Sequence, residues 1–371
     1  MFPYFALLLI PAIFSACAIS IYKKSTTALV VSISRDRNSA ALPVFFFMLL
    51  MLLVLRHETV GCDILNYKYM FYEYTQWGAE YVFSIWQEVL FRGLNWLIMK
   101  LTGSFRVFLI VTAMIAVLPI AYVYNQDKTH GFLKIAVFVN MSTFIMLFSG
   151  IRQSMAMGIG MLAYQMVKEK KHWQFLLLAT LSMLVHHSGL MVFFMYPLYH
   201  IRFRKIHLLA IIPAFVMVLV FNRPIFKFLA MILESTYDKY SIEIVSTGAY
   251  GSLILFAIFS VFAYVVVDEK NCDVETLGLR NFLLFATMLQ CFAPVHSLAM
   301  RMNYYYILFI PLALGKCMNN YKKSMRQVVK MAEIVLCVFF TIFFMYNTYQ
   351  SFITGKSTLD TIPYVPFWKN P

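Results

Sequence analysis

Charged residues are scarce in this sequence. Only 13% of its 371 residues are Asp, Glu, Lys or Arg, whereas 61% are hydrophobic and the mean hydropathy is +0.73. An average soluble domain is about half apolar and about one quarter charged. A water-soluble fold is therefore excluded, and the lipid bilayer is the main solvent of this chain.

Acidic residues are rarer still, with 17 against 31 Lys and Arg and a formal net charge of +14. The basic residues lie in short runs between apolar stretches, where they orient membrane helices, so the charge does not indicate nucleic-acid binding. The six cysteines show neither disulfide nor metal-ligand spacing. We expect no metal site, no cofactor and no nucleic-acid partner.

Long apolar runs are what the sequence has instead, and a helix needs about 20 such residues to cross a bilayer. Residues 1–22 lack the flanks of a cleaved signal, so we interpret them as a retained span. We predict an all-α, polytopic membrane protein with about 12 transmembrane helices, forming a single transmembrane domain over residues 1–350. The predicted spans are residues 3–22, 39–55, 105–124, 132–149, 152–167, 173–186, 188–200, 207–222, 249–267, 281–297, 303–316 and 331–350.

Lys and Arg are shared unevenly between alternate loops, with 19 in one set and 12 in the other, longer set. Cytoplasmic loops carry the excess of positive charge, so we place the first set inside and both chain termini outside. Residues 173–200 form one long helix, a broken helix or two crossings. The count favours two, because a single crossing would put the basic cluster at 202–205 outside.

Two predicted outer loops, residues 56–104 and 223–248, are long enough to contain structure. In the first, residues 81–99 mix apolar and polar residues at helical spacing, which predicts an amphipathic helix in the outer membrane interface. Residues 351–371 are polar and contain prolines, and we expect a loose C-terminal tail.

Polar residues that could carry chemistry are concentrated at four predicted outer turns. At the first turn, Arg56 ends a span, and Asp63 and Tyr67 share one face of a helix that begins after Gly61. The alternatives are a membrane anchor for Arg56 and a helix cap for Asp63.

At the second turn, Gly150 separates two spans and Arg152 lies at the N-terminus of the next helix, beside Gln153. The helix dipole favours anions and repels a cation at this end. Arg152 is therefore better explained as a ligand for an anion than as a structural residue.

At the third turn, His186 and His187 interrupt an apolar run, where ionisable groups are costly unless they are used. Adjacent helical residues point about 100° apart, so the two imidazoles do not suit one metal ion. One of them is a candidate base, and a satisfied structural histidine is the alternative.

At the fourth turn, Arg301 and Tyr305 are four residues apart and could present a cation and an aromatic ring together. The alternative is that the tyrosines here belong to an interface belt. Three arginines on one side of the membrane indicate an anion with several oxygens, since guanidinium binds phosphate in a bidentate manner. A nearby His187 or Asp63 indicates removal of a hydroxyl proton.

These segments, in this order, resemble the EpsG family of bacterial exopolysaccharide proteins, which is similar to the Wzy-type O-antigen and capsule polymerases. The resemblance covers roughly residues 1–350, and Cys62 and Ile151 stand where the family often has Thr and Leu. Neither difference removes a charged group. The matching segments are residues 56–67, 150–156, 186–190 and 301–305.

The resemblance implies a GT-C-like fold and a polymerase at the outer face of the bacterial cytoplasmic membrane. It would join polyprenyl-diphosphate-linked oligosaccharide repeats by metal-independent, inverting glycosyl transfer. Expected partners are the lipid-linked glycan donor and acceptor, membrane lipid, a chain-length regulator and a flippase. The implied site residues are Arg152, Arg301 and Arg56 for the donor diphosphate, His187 or Asp63 for the acceptor proton, and Tyr67, Gln153, His186 and Tyr305 for the sugar or lipid.

Three other functions are alternatives to the polymerase. An O-antigen ligase differs only in its acceptor, and the sequence does not separate the two. A transporter or flippase of a lipid-linked sugar needs charges or broken helices near the bilayer midplane and symmetric halves, and the sequence shows neither. A membrane acyltransferase with a histidine base would not need three outer arginines.

Overall fold

The computed structural model describes residues 1–23, 40–74, 78–84, 88–127, 129–232 and 250–369, and in these ranges every regular element is helical. The prediction of an all-α architecture is confirmed. The single transmembrane domain that we predicted over residues 1–350 stays a prediction. The helices pack as two compact units, Met1–Phe193 with Lys330–Pro371, and Phe194–Val329.

The first unit contains ten α-helices from the N-terminal half of the described chain and a following 3-10 helix, His187–Phe194. The α-helices are α1 (Phe2–Lys23), α2 (Ala41–Leu55), α3 (Ile64–Glu73), α4 (Ala79–Ser84), α5 (Val89–Thr102), α6 (Phe105–Gln126), α7 (Gly131–Val139), α8 (Ser142–Ser149), α9 (Ile151–Lys168) and α10 (His172–Val185).

The second unit contains the helices that follow in the chain, α11 (Met195–His200), α12 (Leu208–Val220), α13 (Asn222–Ile232), α14 (Tyr250–Val266), α15 (Val274–Gln290), α16 (Ser297–Ile307) and α17 (Ile310–Asn319). The last helix, α18 (Arg326–Thr354), belongs to the first unit from Lys330 onward. Its 29 residues are enough to span a bilayer, since each adds about 1.5 Å.

Several helices have the length and composition of membrane spans. Among the described residues, Phe105–Gln126 and Lys323–Thr354 qualify individually, and two pairs qualify if each bent pair is one span. The pairs are Gly131–Val139 with Ser142–Ser149, bent by 64°, and Lys205–Val220 with Asn222–Phe228, bent by 81°. Shorter apolar helices lie at Phe2–Ser15, Ala41–Leu55, His172–Val185 and Tyr250–Val266. The count of about twelve crossings stays a prediction.

Close backbone packing holds α9 against α6. A Cβ atom on Gly158 would lie 2.4 Å from the carbonyl oxygen of Ile115 and 2.9 Å from the Cα of Ala116, so only glycine fits there. The hydroxyl of Ser182 in α10 donates to the carbonyl of Ala156 at 2.9 Å. Small residues and interhelical hydrogen bonds are how helices associate in lipid, where the hydrophobic effect between them is absent.

The predicted amphipathic helix over residues 81–99 is interrupted. Helix α4 ends at Ser84, residues 85–87 with Trp86 lie outside the described residues, and α5 begins at Val89. Glu88 has φ 54° and ψ 35°, a left-handed conformation that cannot continue a right-handed helix. The expectation of one continuous helix was therefore wrong. Most of the second predicted loop, residues 233–248, also lies outside the described residues.

The helix is interrupted at His186. One of our three interpretations of residues 173–200 was such a broken helix. Helix α10 ends at Val185, His186 is extended at φ −154° and ψ 131°, and a 3-10 helix begins at His187. The break brings the chain back against α10, because a Cβ on Gly189 would lie 2.4 Å from the carbonyl carbon of Ser182. The break places two partly buried imidazoles, His186 and His187, at the junction between the two helices.

The C-terminal segment after Thr354 is not a loose tail in this structure. The backbone N–H groups of Gly61 and Cys62 donate to the carbonyls of Asp360 and Leu359 at 2.9 and 3.0 Å. The Tyr364 hydroxyl donates to the carbonyl of Leu52 at 3.0 Å. The polar composition that predicted disorder instead supplies hydrogen bonds to the turn after α2.

Candidate active site

A carboxylate joins an arginine and a histidine in the first unit. One oxygen of Glu88 pairs with the guanidinium of Arg152, and the other lies 2.5 Å from Nδ1 of His186. These three residues, called here the Glu88 cluster, come from the start of α5, the start of α9 and the break after α10. Arg152 and His186 are 64 and 98 residues from Glu88 in the chain, so only the packed unit brings the three side chains together.

Glu88 reaches this position from an unusual backbone. It precedes the first residue of α5 in the left-handed region, which costs a non-glycine residue about 1–3 kcal/mol and recurs at functional sites. Burial raises the pKa of Glu88. The hydrogen bond from His186 and the charge of Arg152 outweigh that effect, and the net pKa shift is downward. Glu88 is therefore a carboxylate at neutral pH.

Arg152 lies at the N-terminus of α9, as predicted, and aromatic rings hold its guanidinium. Its Nε donates to the Tyr67 hydroxyl at 3.4 Å, and its Cζ lies 5.7 Å from the Tyr67 ring centre and 5.8 Å from that of Phe91. The side chain is still 36% exposed. The five N–H groups of a guanidinium exceed what one carboxylate and one hydroxyl take up, so Arg152 can also bind an anion.

Tyr67 contributes to the site by holding Arg152. Its ring is 5% exposed and meets Phe91 edge to face at 5.7 Å. We predicted contact between Tyr67 and the sugar or lipid. In this structure the ring is covered, and its hydroxyl accepts from Arg152.

His187 adds a second imidazole next to the cluster. Its Nε2 is buried and has no hydrogen-bond partner among the described residues. His187 lies in the break between two predicted spans, and its pKa is lowered because burial disfavours the charged form, which the charge of Glu88 only partly offsets. A neutral imidazole with an unpaired ring nitrogen has the properties of a general base.

Asp63 is the other candidate base, and it is tied to α8. Its carboxylate accepts from the Ser149 hydroxyl at 3.2 Å, and its own N–H donates to the same oxygen at 3.2 Å. The turn before it depends on Gly61, whose φ is +107° and whose Cβ, if present, would lie 2.1 Å from the carbonyl oxygen of Phe148. Asp63 therefore has a hydrogen-bond partner in this structure, whereas Nε2 of His187 has none.

Two of the predicted ligand residues are covered. Arg56 is 2% exposed, and its guanidinium donates to the carbonyl of Phe148. Its own carbonyl accepts from Arg106 at 2.8 Å. Gln153 is 3% exposed within α9. Arg56 thus holds the end of α8 in place, and neither side chain is accessible to a diphosphate in this structure.

Arg301 and Tyr305 both lie in α16 of the second unit, and they do not present a cation and a ring together. Arg301 is exposed, whereas Tyr305 is 1% exposed. The four-residue spacing places both on one helix face, but that face passes from the surface into the packed interior along the helix. The stacking role predicted for Tyr305 is therefore not available in this conformation.

Sequence reasoning missed Glu88. The cations and candidate bases are visible in the sequence, whereas the acidic partner that organises them lies in a segment that we interpreted as an interfacial helix. One signal was present: Glu88 is the single acidic residue of residues 81–99. A lone carboxylate in an apolar interface segment is costly without a partner, and that cost predicts an ion pair.

Comparison with known proteins identifies a family. A model of the EpsG family matches residues 39–365, which is most of the chain. No curated protein and no solved structure matches. The matched range includes the Glu88 cluster, Asp63 and Arg301.

Proposed function

The chain belongs to the EpsG family, and from that premise we propose that it polymerises polysaccharide by joining polyprenyl-diphosphate-linked oligosaccharide repeats. Membership in the family supports a polysaccharide-polymerase-like membrane protein, and the apolar helices agree with it. We place the reaction at the outer face of the bacterial cytoplasmic membrane, where the positive-inside count puts the turns that carry Arg152 and His187.

The observation that carries the proposal is the position of Arg152. It lies at a helix N-terminus, is 36% exposed, and stands next to two imidazoles and a carboxylate. Helix N-termini favour anions, and guanidinium matches the geometry of phosphate oxygens. We assign Arg152 to the diphosphate of the donor. The role of Arg301 as a second cation stays a prediction from the sequence.

The proposed reaction is a direct displacement at the anomeric carbon of the donor sugar. The acceptor hydroxyl oxygen forms the new bond to that carbon, and the bond from the carbon to the diphosphate oxygen breaks. The diphosphate leaves with the electron pair, so no acid is needed to protonate it. Arg152 stabilises the charge that grows on the leaving oxygen. Inversion and independence from metal ions are part of the proposal.

The acceptor proton needs a base, and His187 is our first candidate. Burial keeps it neutral, and its Nε2 has no partner among the described residues. His186 is already engaged by Glu88, so we assign it a positioning role. Asp63 is the second candidate, because its carboxylate lies one turn from Tyr67 and so on the same face of α3 as the ring that holds Arg152.

The polysaccharide profile of a strain that lacks this protein tests the proposal. A polymerase predicts that single repeats accumulate and that long chains return with the wild-type gene. An unmodified lipid core, with no single-repeat chains, would instead indicate a ligase or a flippase.

A reaction reconstituted from purified protein distinguishes a polymerase from a flippase directly. Purified protein in proteoliposomes should convert polyprenyl-diphosphate-linked repeats into a ladder of longer products, without any other acceptor. A flippase would move the lipid across the bilayer and leave its glycan length unchanged, which would refute the proposal.

A further inference from the structure

The first unit contains a cavity of about 370 Å³ between α8, α18 and the C-terminal segment. This volume lies in the range of small-molecule sites, about 300–1,000 Å³. None of the residues of the Glu88 cluster lines it. The function proposed above therefore leaves this cavity unexplained.

One face of α18 turns polar where it meets the cavity. Asn347, Gln350, Ser351 and Thr354 occupy positions i, i+3, i+4 and i+7, so they share one face of α18. Among the described residues, the side chains of Asn347, Gln350 and Ser351 have no hydrogen-bond partner. A spanning helix gains nothing in lipid from unpaired amides, so this stripe indicates a polar ligand.

The lining excludes several kinds of ligand. Lys356 is the single charged residue among the lining side chains, so the site lacks the carboxylates that bind a metal ion and the arginine fork that binds a phosphate in a bidentate manner. A prenyl or acyl chain would leave the amides and hydroxyls without partners. What remains is a neutral molecule rich in groups that both donate and accept hydrogen bonds.

Aromatic rings complete the cavity. Phe343 is 43% exposed and stacks on Phe339 at 10° and 5.7 Å, which fixes the plane of its ring. Phe144 and Phe344 meet edge to face at 5.9 Å behind it. A sugar ring offers an apolar face to an aromatic ring and hydroxyls to amides, and this lining offers both kinds of partner.

The cavity is lined by part of the C-terminal segment that also supports the turn before Asp63. Ser357, Thr358, Thr361 and Ile362 line it, and the carbonyl of Thr361 accepts from the Tyr4 hydroxyl at 2.5 Å. The same segment accepts the N–H groups of the turn just before Asp63. A ligand in the cavity would therefore lie beside the segment that supports the site.

We propose that this cavity binds a neutral segment of glycan chain, with Asn347 and Gln350 as hydrogen-bonding residues and Phe343 as the stacking ring. The identity of that glycan as a segment of the growing polysaccharide rests on the proposed function. Held there, a chain already made would lie against the C-terminal segment that is hydrogen-bonded to the turn before Asp63 between rounds of elongation.

The test uses the full chain in lipid nanodiscs and labelled oligosaccharides, cut by mild acid from the surface polysaccharide of the host bacterium. Fluorescence anisotropy measures their dissociation constant. Replacement of both amides, Asn347→Leu with Gln350→Leu, should weaken binding by about tenfold or more, since two hydrogen bonds are lost. Leucine keeps the helix apolar and favours helix formation.

The matched control is Gln327→Leu, which makes the same change at the other end of α18, away from the cavity. It should bind like the wild type, as should Arg152→Ala, because Arg152 does not line the cavity. Equal binding by the wild type and the double variant overturns the inference. So does binding of sugar-free polyprenyl phosphate in place of the oligosaccharide.

The outcomes separate this inference from the proposed function. If Arg152→Ala still makes long polysaccharide, the proposed function fails, while loss of oligosaccharide binding in the double variant would still support the glycan site. If the double variant binds normally and Arg152→Ala makes only single repeats, the function stands and the glycan site is refuted.

Discussion

Two ion pairs of the first unit use similar chemistry in opposite ways. Lys134 is fully buried and donates to both the carboxylate and the carbonyl of Asp127 at 2.8 Å, seven residues away. The Thr129 hydroxyl donates to the other carboxylate oxygen at 2.7 Å. Glu88 and Arg152 come from distant segments, and the arginine remains 36% exposed. We call the first pair closed, because its lysine is buried and its partners are close in the chain. We call the second pair open, because its arginine is partly exposed and its two residues come together only in the folded unit.

The difference teaches how to separate structural from functional charges. A closed pair within one turn forms as soon as the turn forms, and its groups have no capacity left for a ligand. An open pair at a helix N-terminus retains donors, and the left-handed backbone of Glu88 adds strain that packing must hold. Structural pairs should therefore affect stability when broken, and the Glu88 cluster should affect activity.

The largest effect is expected from Arg152→Ala. It removes the cation proposed to stabilise the leaving diphosphate, and polymerisation should fall about 100- to 1,000-fold, as on loss of an oxyanion-stabilising donor. The measurement is the initial rate of ladder formation in proteoliposomes. Lys134→Met is the comparison, and it should lower stability by about 1–3 kcal/mol because Asp127, whose side chain is 15% exposed, loses its cationic partner and keeps only the hydrogen bonds from Thr129. A wild-type ladder from Arg152→Ala would refute the assignment.

The next effect concerns the base. His187→Gln should lower the rate about 100-fold, a typical contribution of general base catalysis. The base acts unprotonated, and burial lowers the pKa of His187, so activity should be constant near neutral pH and fall only on acidification below about 6.5. The lowered pKa of Glu88 keeps it ionised there, so this decline cannot come from Glu88.

Asp63→Asn decides between the two candidate bases. If it abolishes activity and His187→Gln leaves both the rate and the pH profile unchanged, Asp63 is the base. The rate at saturating substrate, measured from pH 5 to 8 for both variants, provides the answer.

Glu88→Gln should cause a smaller loss. The amide keeps the shape of the side chain but removes the charge that binds Arg152 and His186, and losing one charged hydrogen bond corresponds to roughly a tenfold lower rate. Asp127→Asn is the matched change in the closed pair and should lower thermal stability without changing the rate per folded molecule. A rate increase in Glu88→Gln would mean that Glu88 only competes with the diphosphate for Arg152.

The smallest effect on activity should come from the turn that supports the site. Gly61→Ala places a Cβ 2.1 Å from the carbonyl oxygen of Phe148 at a φ of +107°, whereas Gly103→Ala lies in the left-handed region at +61° with no neighbour within 4 Å. Left-handed strain alone costs about 1–3 kcal/mol. A larger drop in melting temperature for Gly61→Ala would report the clash together with its less favourable φ, and equal drops would contradict both.

The site was predicted unevenly from sequence. Arg152 was found because its place at a helix N-terminus follows from Gly150 and from the apolar runs on both sides. The break at His186 was visible as a polar interruption. Glu88 was missed because its partners lie 64 and 98 residues away, and no local pattern reports such a pairing. Arg56 was assigned to the ligand because sequence does not show which arginine meets a backbone carbonyl.

The sequence by itself determined that the chain is a membrane protein, that it is all-helical, to which family it belongs and which helix end carries Arg152. Each of these follows from composition, from runs of one kind of residue or from short motifs, which are properties of neighbouring residues. Only the tertiary structure decided that Glu88 joins Arg152 to His186 and that Arg56 is buried. It also decided that the C-terminal segment closes over the turn before Asp63 and walls the polar cavity beside α18. Those contacts join residues far apart in the chain, and packing alone brings them together.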